Sequence, residues 1–203
     1  MTAGSRTVVL AVAAGLALAT AGCEDEPPDP YQPTGPVQST LFRLNAFTSV
    51  PALEGGEIAL QDLRGNVVLL DLFGTWSQEC RRTVPLLVSV YERYRGRRCE
   101  VVGLAYERTD DHRQARETVR GFREEFKMSF PLALGPETLR QELRDAAGVS
   151  RRLPTLVLMD RQGVVRDIFQ GLPPGYEQVL ADRIERLLAE PYVSLPGAAE
   201  PTE

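Results

Sequence analysis

The strongest constraint on the fold is the apolar run "NVVLLDLF", residues 66–73, which leads directly into "GTWSQEC". A segment that is apolar at almost every position is typical of a central strand covered on both faces of a sheet. The next segment, from about Ser77 to Arg95, has the period of an amphipathic helix, with an apolar stripe of Val84, Leu87, Val88, Tyr91 and Tyr94. A second apolar run, "CEVVGLAY", begins at Cys99. Together they predict a βαβ unit, and therefore an α/β fold whose mixed central sheet carries helices on both faces.

The segments outside this unit complete the α/β pattern. Before it, "LFRLNAF" and "EIAL" are short and strand-like, and predict an N-terminal β-hairpin. After it, "TLVLMD" and "VVRDIFQ" flank Arg161–Gly163, which is typical of a hairpin turn. Three further helices are predicted from apolar faces at helical spacing: Ala115, Val119, Phe122 and Phe126; Leu139 and Leu143; and Tyr176, Leu180, Ile184 and Leu187.

Residues 1–22 predict a secretory signal. Arg6 provides a positive start, and the apolar run "TVVLAVAAGLALATA" is shorter than the ~20 residues that a spanning helix needs. Its end, "LATAGC", resembles a bacterial lipoprotein box, which implies a lipid anchor on Cys23 and a membrane as one partner. Because Ala19–Ala21 also fits ordinary signal cleavage, a freely secreted protein is the alternative.

Composition divides the rest of the chain into three parts. Residues 23–40 are rich in proline and acid, as expected of a flexible linker behind a lipid anchor. Residues 41–189 form the predicted domain, and residues 190–203 a disordered tail. The net charge of −5 argues against nucleic acid as a partner, because binding phosphates requires a basic surface.

The two cysteines within the domain are not expected to pair with each other. The helix between Cys80 and Cys99 would separate its ends by more than ~20 Å, whereas a disulfide needs Cα atoms within ~7 Å. Cys99 is therefore predicted to be a small buried apolar residue.

The strand, the motif and a later proline together resemble a known family. "RGNVVLLDLFGTWSQEC" is similar to the active-site segment of the TlpA/ResA group of membrane-anchored, periplasm-facing thioredoxin-like proteins, which carries Trp-Cys-x-x-Cys. Pro85 falls where that group bends its first helix, and "VSRRLPTLVLMDRQG" matches the segment of its cis-proline, at Pro154. Over residues 41–189 the resemblance implies a thioredoxin-like fold, no cofactor, and exchange of disulfides in exported proteins or peptides.

The first motif position of this chain lacks the sulfur that the family's reaction uses. In that group, a first cysteine at the helix N-terminus is the nucleophile and a second resolves the mixed disulfide. Here these positions hold Ser77 and Cys80. A serine hydroxyl is not ionised at neutral pH and cannot form a disulfide, so the two-cysteine cycle is unavailable. Ser77 is predicted to cap the helix instead.

The resemblance also gives roles to four other residues. Asp71 occupies the position of a buried carboxylate that moves a proton for the second cysteine; the alternative is a polar residue satisfied by hydrogen bonds or water. Trp76, Leu153 and Pro154 would border an extended polypeptide that pairs with the backbone beside the cis-proline.

Three functions remain open from the sequence. The chain is a single-thiol redox protein using Cys80 and Asp71, a polypeptide-binding module without chemistry, or a peroxidase. The last follows from Ser77-x-x-Cys80, which resembles the Thr/Ser-x-x-Cys of peroxiredoxins, although the proline that those enzymes place seven residues before the cysteine is Phe73 here. His112 has no partner at metal-ligand spacing, so no metal site is predicted.

Overall fold

The computed structural model describes residues 41–45, 48–171 and 175–192. The strands within these ranges are β1 Phe42–Arg43, β2 Ser49–Pro51, β3 Glu57–Ala59, β4 Val67–Phe73, β5 Cys99–Ala105, β6 Leu132–Leu134, β7 Thr155–Met159 and β8 Val164–Gln170. The α-helices are α1 Gln78–Tyr94, α2 His112–Phe126, α3 Glu137–Ala147 and α4 Tyr176–Ala189. A single 3-10 turn, Leu60–Leu63, precedes β4.

The main sheet has the strand order β1-β8-β7-β4-β5-β6. Its central strand, β4, pairs in parallel with β5 and antiparallel with β7, and every residue of β4 is buried. This is the outcome expected of a continuous apolar run, because both faces of the strand are covered. The α/β class and the thioredoxin-like, mixed-sheet architecture predicted from the sequence are confirmed.

The N-terminal hairpin is present, but its pairing differs from the prediction. β3 pairs with β2, Ser49–Pro51, and not with the earlier segment. That earlier segment supplies β1, which pairs with β8 at the edge of the main sheet. Arg116 of α2 fixes the tip of the hairpin, since its guanidinium donates to the carbonyls of Ala52 and Leu53 at 2.7 Å each.

One strand was missing from the sequence interpretation. β6 is three residues long and pairs in parallel with the carboxyl end of β5. It extends the sheet by one strand between α2 and α3, and its edge also contacts the β2–β3 hairpin through a bridge between Ala52 and Ala133.

The helices bury most of the predicted stripes, while Val88, Tyr91 and Phe126 are partly exposed. Val84, Leu87 and Tyr94 of α1 are buried, as are the predicted apolar residues of α3 and α4. The Asp111 side chain caps α2 by accepting from the amides of Arg113 and Gln114, at 2.9 and 3.1 Å.

The end of the domain lies later than predicted. Glu190 binds Arg166 through paired contacts of 2.6 and 2.8 Å, and the Arg161 guanidinium lies 4.9 Å from the Tyr192 ring centroid. Residues 190–192 therefore pack on the β7–β8 hairpin rather than beginning a disordered tail. The predicted signal, lipid anchor, linker and remaining tail lie outside the described residues. None of the helices in the described part is both long and apolar enough to cross a membrane.

Candidate functional site

The candidate site is the connection from β4 to α1, where Ser77 ends the loop. Ser77 has extended backbone angles, and its Oγ accepts a hydrogen bond from the amide of Cys80 at 3.3 Å. This satisfies one of the amides that have no partner within the first turn of a helix. The predicted N-cap role of Ser77 is confirmed, and its side chain is 8% exposed.

The thiol of Cys80 points into the protein. Cys80 is fully buried, and its Sγ accepts from the amide of Gly74 at 3.5 Å. Burial raises the pKa of the thiol to about 11, because the hydrogen bonds from Ser77 and Gly74 offset only part of the desolvation. The charges of Asp71 and Glu79 raise the pKa further. At neutral pH only about one thiol in 10⁴ would be ionised, on this pKa.

Asp71 lies in the middle of β4, between Gly103 of β5 and Leu156 of β7. Its side chain is fully buried, and neither carboxyl oxygen has a hydrogen-bond partner among the described residues. Desolvation raises the pKa of this carboxyl to about 8, so the group is mostly protonated at neutral pH. No described residue hydrogen-bonds this carboxyl, and a proton-transfer role and satisfaction by water both stay predictions.

Trp76 is held on the surface of the site. Its indole N–H donates to the carbonyl of Tyr106 at 3.0 Å, yet the residue remains 42% exposed. The adjacent Thr75 binds the Glu107 carboxylate through its amide at 3.0 Å and its hydroxyl at 2.7 Å. The loop after β5 thus fixes the loop after β4, because parallel neighbours end at the same edge of the sheet.

Pro154 lies at the same edge of the sheet. It follows Leu153 through a cis peptide bond and directly precedes Thr155, which pairs with Leu72 of β4. The cis-proline expected from the resemblance is confirmed, and both Leu153 and Pro154 are buried. The structure therefore places the loop residues predicted for the site near the carboxyl end of β4, with Asp71 buried within the strand itself.

An ion pair joins the first turn of α1 to the loop before the cis-proline. Arg152, two residues before the cis-proline, lies 3.1 Å from the carboxylate of Glu79 in the first turn of α1. Both side chains are about half exposed. Glu79 therefore has a structural partner besides its favourable position near the positive end of the helix dipole.

Arg81, a cation that could activate the thiol, makes its contacts with other side chains. The Arg81 guanidinium stacks on Phe122 and Phe126 at 5.3 and 5.0 Å and pairs with Glu125. Arg82 is exposed on the surface of α1. The described residues contain no cluster of three or more potential metal ligands, and His112 is the exposed first residue of α2.

Sequence reasoning missed the part of the site that comes from the β5–α2 loop. Tyr106, Glu107 and Arg108 all contact the Thr75–Trp76 segment, about 30 residues earlier in the chain. The sequence signal for this contact was the equal length of β4 and β5. Because the two strands are parallel, the residues after β5 lie beside those after β4.

Comparisons with known proteins agree with this architecture. The model of the AhpC/TSA family matches residues 43–168. The thiol-disulfide oxidoreductase ResA of Bacillus anthracis is 32% identical over 116 residues, which are 57% of this chain and 61% of that protein. The thioredoxin-like protein YneN of Bacillus subtilis is 25% identical over 123 residues, or 61% of this chain and 67% of that protein. The match therefore spans less than two thirds of the ResA protein's length.

Solved structures share the fold. A protein assigned as the thiol:disulfide interchange protein DsbE from Chlorobium tepidum aligns with a TM-score of 0.59 and 26% identity, over 70% of this chain and 92% of the other. A secreted thiol-disulfide isomerase from Corynebacterium glutamicum aligns with a TM-score of 0.61, over 74% and 86%, but at 19% identity its likeness concerns the fold alone.

Proposed function

This chain belongs to the AhpC/TSA family, and we propose that it binds exported polypeptides at the β4–α1 site without performing the two-cysteine exchange reaction. The family and the ResA relatives make it a thiol-disulfide oxidoreductase-like protein of thioredoxin fold. The proposal that the chain does not perform disulfide exchange depends on the chemistry of Ser77 and Cys80.

The observation that carries the proposal is the state of Cys80. Its sulfur is fully buried beneath the first turn of α1, and burial holds its pKa near 11. A thiol must be ionised and accessible to attack a disulfide. Ser77, where the family has its first cysteine, supplies a hydroxyl that caps the helix. The serine-for-cysteine exchange thus removes the nucleophile while retaining the local fold.

The same observation disfavours the two chemical alternatives. A peroxidase and a single-thiol redox protein both need Cys80 as a thiolate, and burial of the sulfur, with a smaller contribution from the Glu79 charge, opposes its ionisation. The Arg81 side chain, a candidate activator, is bound to Glu125 and two phenylalanine rings.

Features that support polypeptide binding remain at the site. Trp76 exposes a large aromatic surface on the β4–α1 loop, and the cis-proline precedes the strand that pairs with the end of β4. Backbone groups next to such a loop suit an extended chain that adds as a strand. Export and anchoring through a lipid on Cys23 belong to the proposal and are supported by the signal and the lipoprotein-like "LATAGC" of the sequence.

A thiol-free polypeptide tests binding separately from redox chemistry. We expect a fluorescently labelled, carboxamidomethylated insulin B chain to bind the native protein and the Cys80→Ser variant with the same Kd. Trp76→Ala should weaken binding several-fold, because truncating an exposed aromatic contact removes apolar area. Dependence of binding on Cys80, or no binding at all, would contradict the proposal.

A further inference from the structure

Trp76 carries an arginine on its exposed ring. The guanidinium carbon of Arg108 lies 3.6 Å from the centroid of the indole. Two other contacts hold the indole in place. Its N–H donates to the carbonyl of Tyr106. Its ring also packs on Gly74, so closely that a Cβ added there would lie 2.6 Å from the indole nitrogen. The stack therefore rests on a rigid platform, and the guanidinium is preorganised.

Arg108 has no charged partner of its own. Its side chain is exposed and makes no hydrogen bond or ion pair with any residue in the ranges that the structure describes. The neighbouring carboxylate of Glu107 accepts both donors of Thr75. Asp111 accepts from two backbone amides of α2. Five N–H donors on a planar group thus remain available at the mouth of the site.

Another arginine that borders the site differs in this respect. Arg152, in the loop before β7, is paired with Glu79 in the first turn of α1. Arg108, which has no ion-pair partner among the described residues, therefore presents an unpaired guanidinium on the ring of Trp76. A planar guanidinium held face-down on an aromatic ring directs its N–H edge outward, in the geometry that binds a carboxylate through two parallel hydrogen bonds.

We propose that Arg108 and Trp76 together recognise an acidic residue in the bound polypeptide, so that the partner of this site is an acidic segment. The Asp or Glu carboxylate binds the edge of the Arg108 guanidinium, and the neighbouring apolar atoms of the partner lie against Trp76. This inference deepens the proposed function and rests on it, because it names the chemistry of the polypeptide that the site takes.

Trp76 is the only tryptophan of the chain, so its fluorescence reports directly on this surface. The probes are three Gly-Ser peptides with a central Asp-Glu, Asn-Gln or Arg-Lys pair, titrated into the full chain at low salt. We expect the Asp-Glu peptide to bind roughly three- to tenfold more tightly than the Asn-Gln peptide, the range for one charge-assisted contact at an exposed site. The preference should weaken as salt is added.

Variants of two arginines separate the local contact from the total charge. Arg108→Gln should abolish the preference for the acidic peptide, and Arg108→Lys should keep only part of it, because an ammonium lacks the planar fork. Arg98→Gln is the matched control, since it removes an equal charge from an exposed arginine at the opposite end of β5. It should leave the preference intact.

The outcomes distinguish this inference from the proposed function. If the Asp-Glu and Asn-Gln peptides bind equally, or if Arg98→Gln reduces the preference as much as Arg108→Gln, the acidic partner is wrong while polypeptide binding stands. If neither the peptides nor the alkylated B chain binds, both fail together.

Discussion

The hydroxyl of Ser77 lies 3.3 Å from the amide nitrogen of Cys80 and accepts its hydrogen bond. One oxygen atom thus completes the helix at the position where the ResA-like motif has a sulfur. The cap is an observed contact, whereas the loss of a nucleophile belongs to the proposed function. The consequences of this exchange for stability and for chemistry can be measured independently.

Replacing the cap tests its structural part. Ser77→Ala should destabilise the protein by about 1 kcal/mol, because an amide in the first turn of α1 loses its acceptor. Ser77→Gly should have a smaller effect, a few tenths of a kcal/mol. Denaturant unfolding of the three proteins measures the difference, and equal stability of Ser77→Ala and the native chain would contradict the assigned cap.

Restoring the sulfur tests the geometry of the motif. The Ser77 side chain caps the first turn of α1 by accepting from the Cys80 amide at 3.3 Å, so a thiol at position 77 would lie beside the turn that carries Cys80. We expect Ser77→Cys to form a disulfide with Cys80 under mild oxidation, detected by thiol counting and mass spectrometry. Ser89→Cys, at an exposed position of the same helix, should remain a free thiol. A Ser77→Cys protein that keeps both thiols under oxidation would show that the two side chains do not meet.

The buried carboxyl of Asp71 makes stability depend on pH. Its pKa is 3.8 in an unfolded chain and about 8 in the fold, so the native state holds a proton that the unfolded state has lost. Stability is therefore fully present below pH 3.8, falls as pH rises towards 8, and is flat above it. At pH 7 the loss is on the order of 4 kcal/mol, at ~1.4 kcal/mol for each pH unit.

Asp71→Asn removes this loss. The variant should be more stable than the native chain at pH 7, by up to about the same amount, and should match it near pH 3. Asp160→Asn is the contrasting control, because Asp160 accepts from two backbone amides and from Arg166. That change should destabilise by ~1–3 kcal/mol. Urea unfolding from pH 3 to 8 measures both, and an Asp71→Asn variant less stable than the native chain at pH 7 would refute the protonated, unpartnered state.

Alkylation measures the state of Cys80 directly. With Cys23→Ser to remove the first thiol, iodoacetamide should modify the folded chain at pH 8 more than about 100-fold more slowly than the unfolded chain. Burial protects Cys99 as well, since its pKa is raised to about 12. Peptide mapping assigns the modified residue, and rapid labelling of Cys80 would favour the single-thiol function instead.

The sequence predicted the centre of the fold better than its edges. Val67–Phe73 and Cys99–Ala105 have continuous apolar runs because they are buried on both faces, and such runs are visible locally. Leu132–Leu134 was missed because a three-residue edge strand has no period to detect. The partner of Glu57–Ala59 was misassigned because two nearby short segments suited a hairpin equally well, and tertiary packing selected Ser49–Pro51.

For the site, too, local motifs predicted some residues, whereas others depend on tertiary contacts. Ser77, Cys80, Trp76 and Pro154 follow from local motifs, and the structure places them together. Arg108 could not be assigned from its neighbours in sequence, because its role depends on a ring 32 positions away in the chain. The lack of a partner for Asp71 was equally invisible, since it depends on what surrounds β4 from both faces.

The central claim is that oxygen at position 77 prevents catalysis of disulfide exchange. The most direct test is the reduction of insulin by dithiothreitol, followed by turbidity, with the purified chain and its Ser77→Cys variant at equal concentration. We predict that the native chain gives the rate of dithiothreitol alone, and that Ser77→Cys accelerates the reaction. Acceleration by the native chain, at a rate comparable with Ser77→Cys, would contradict the account.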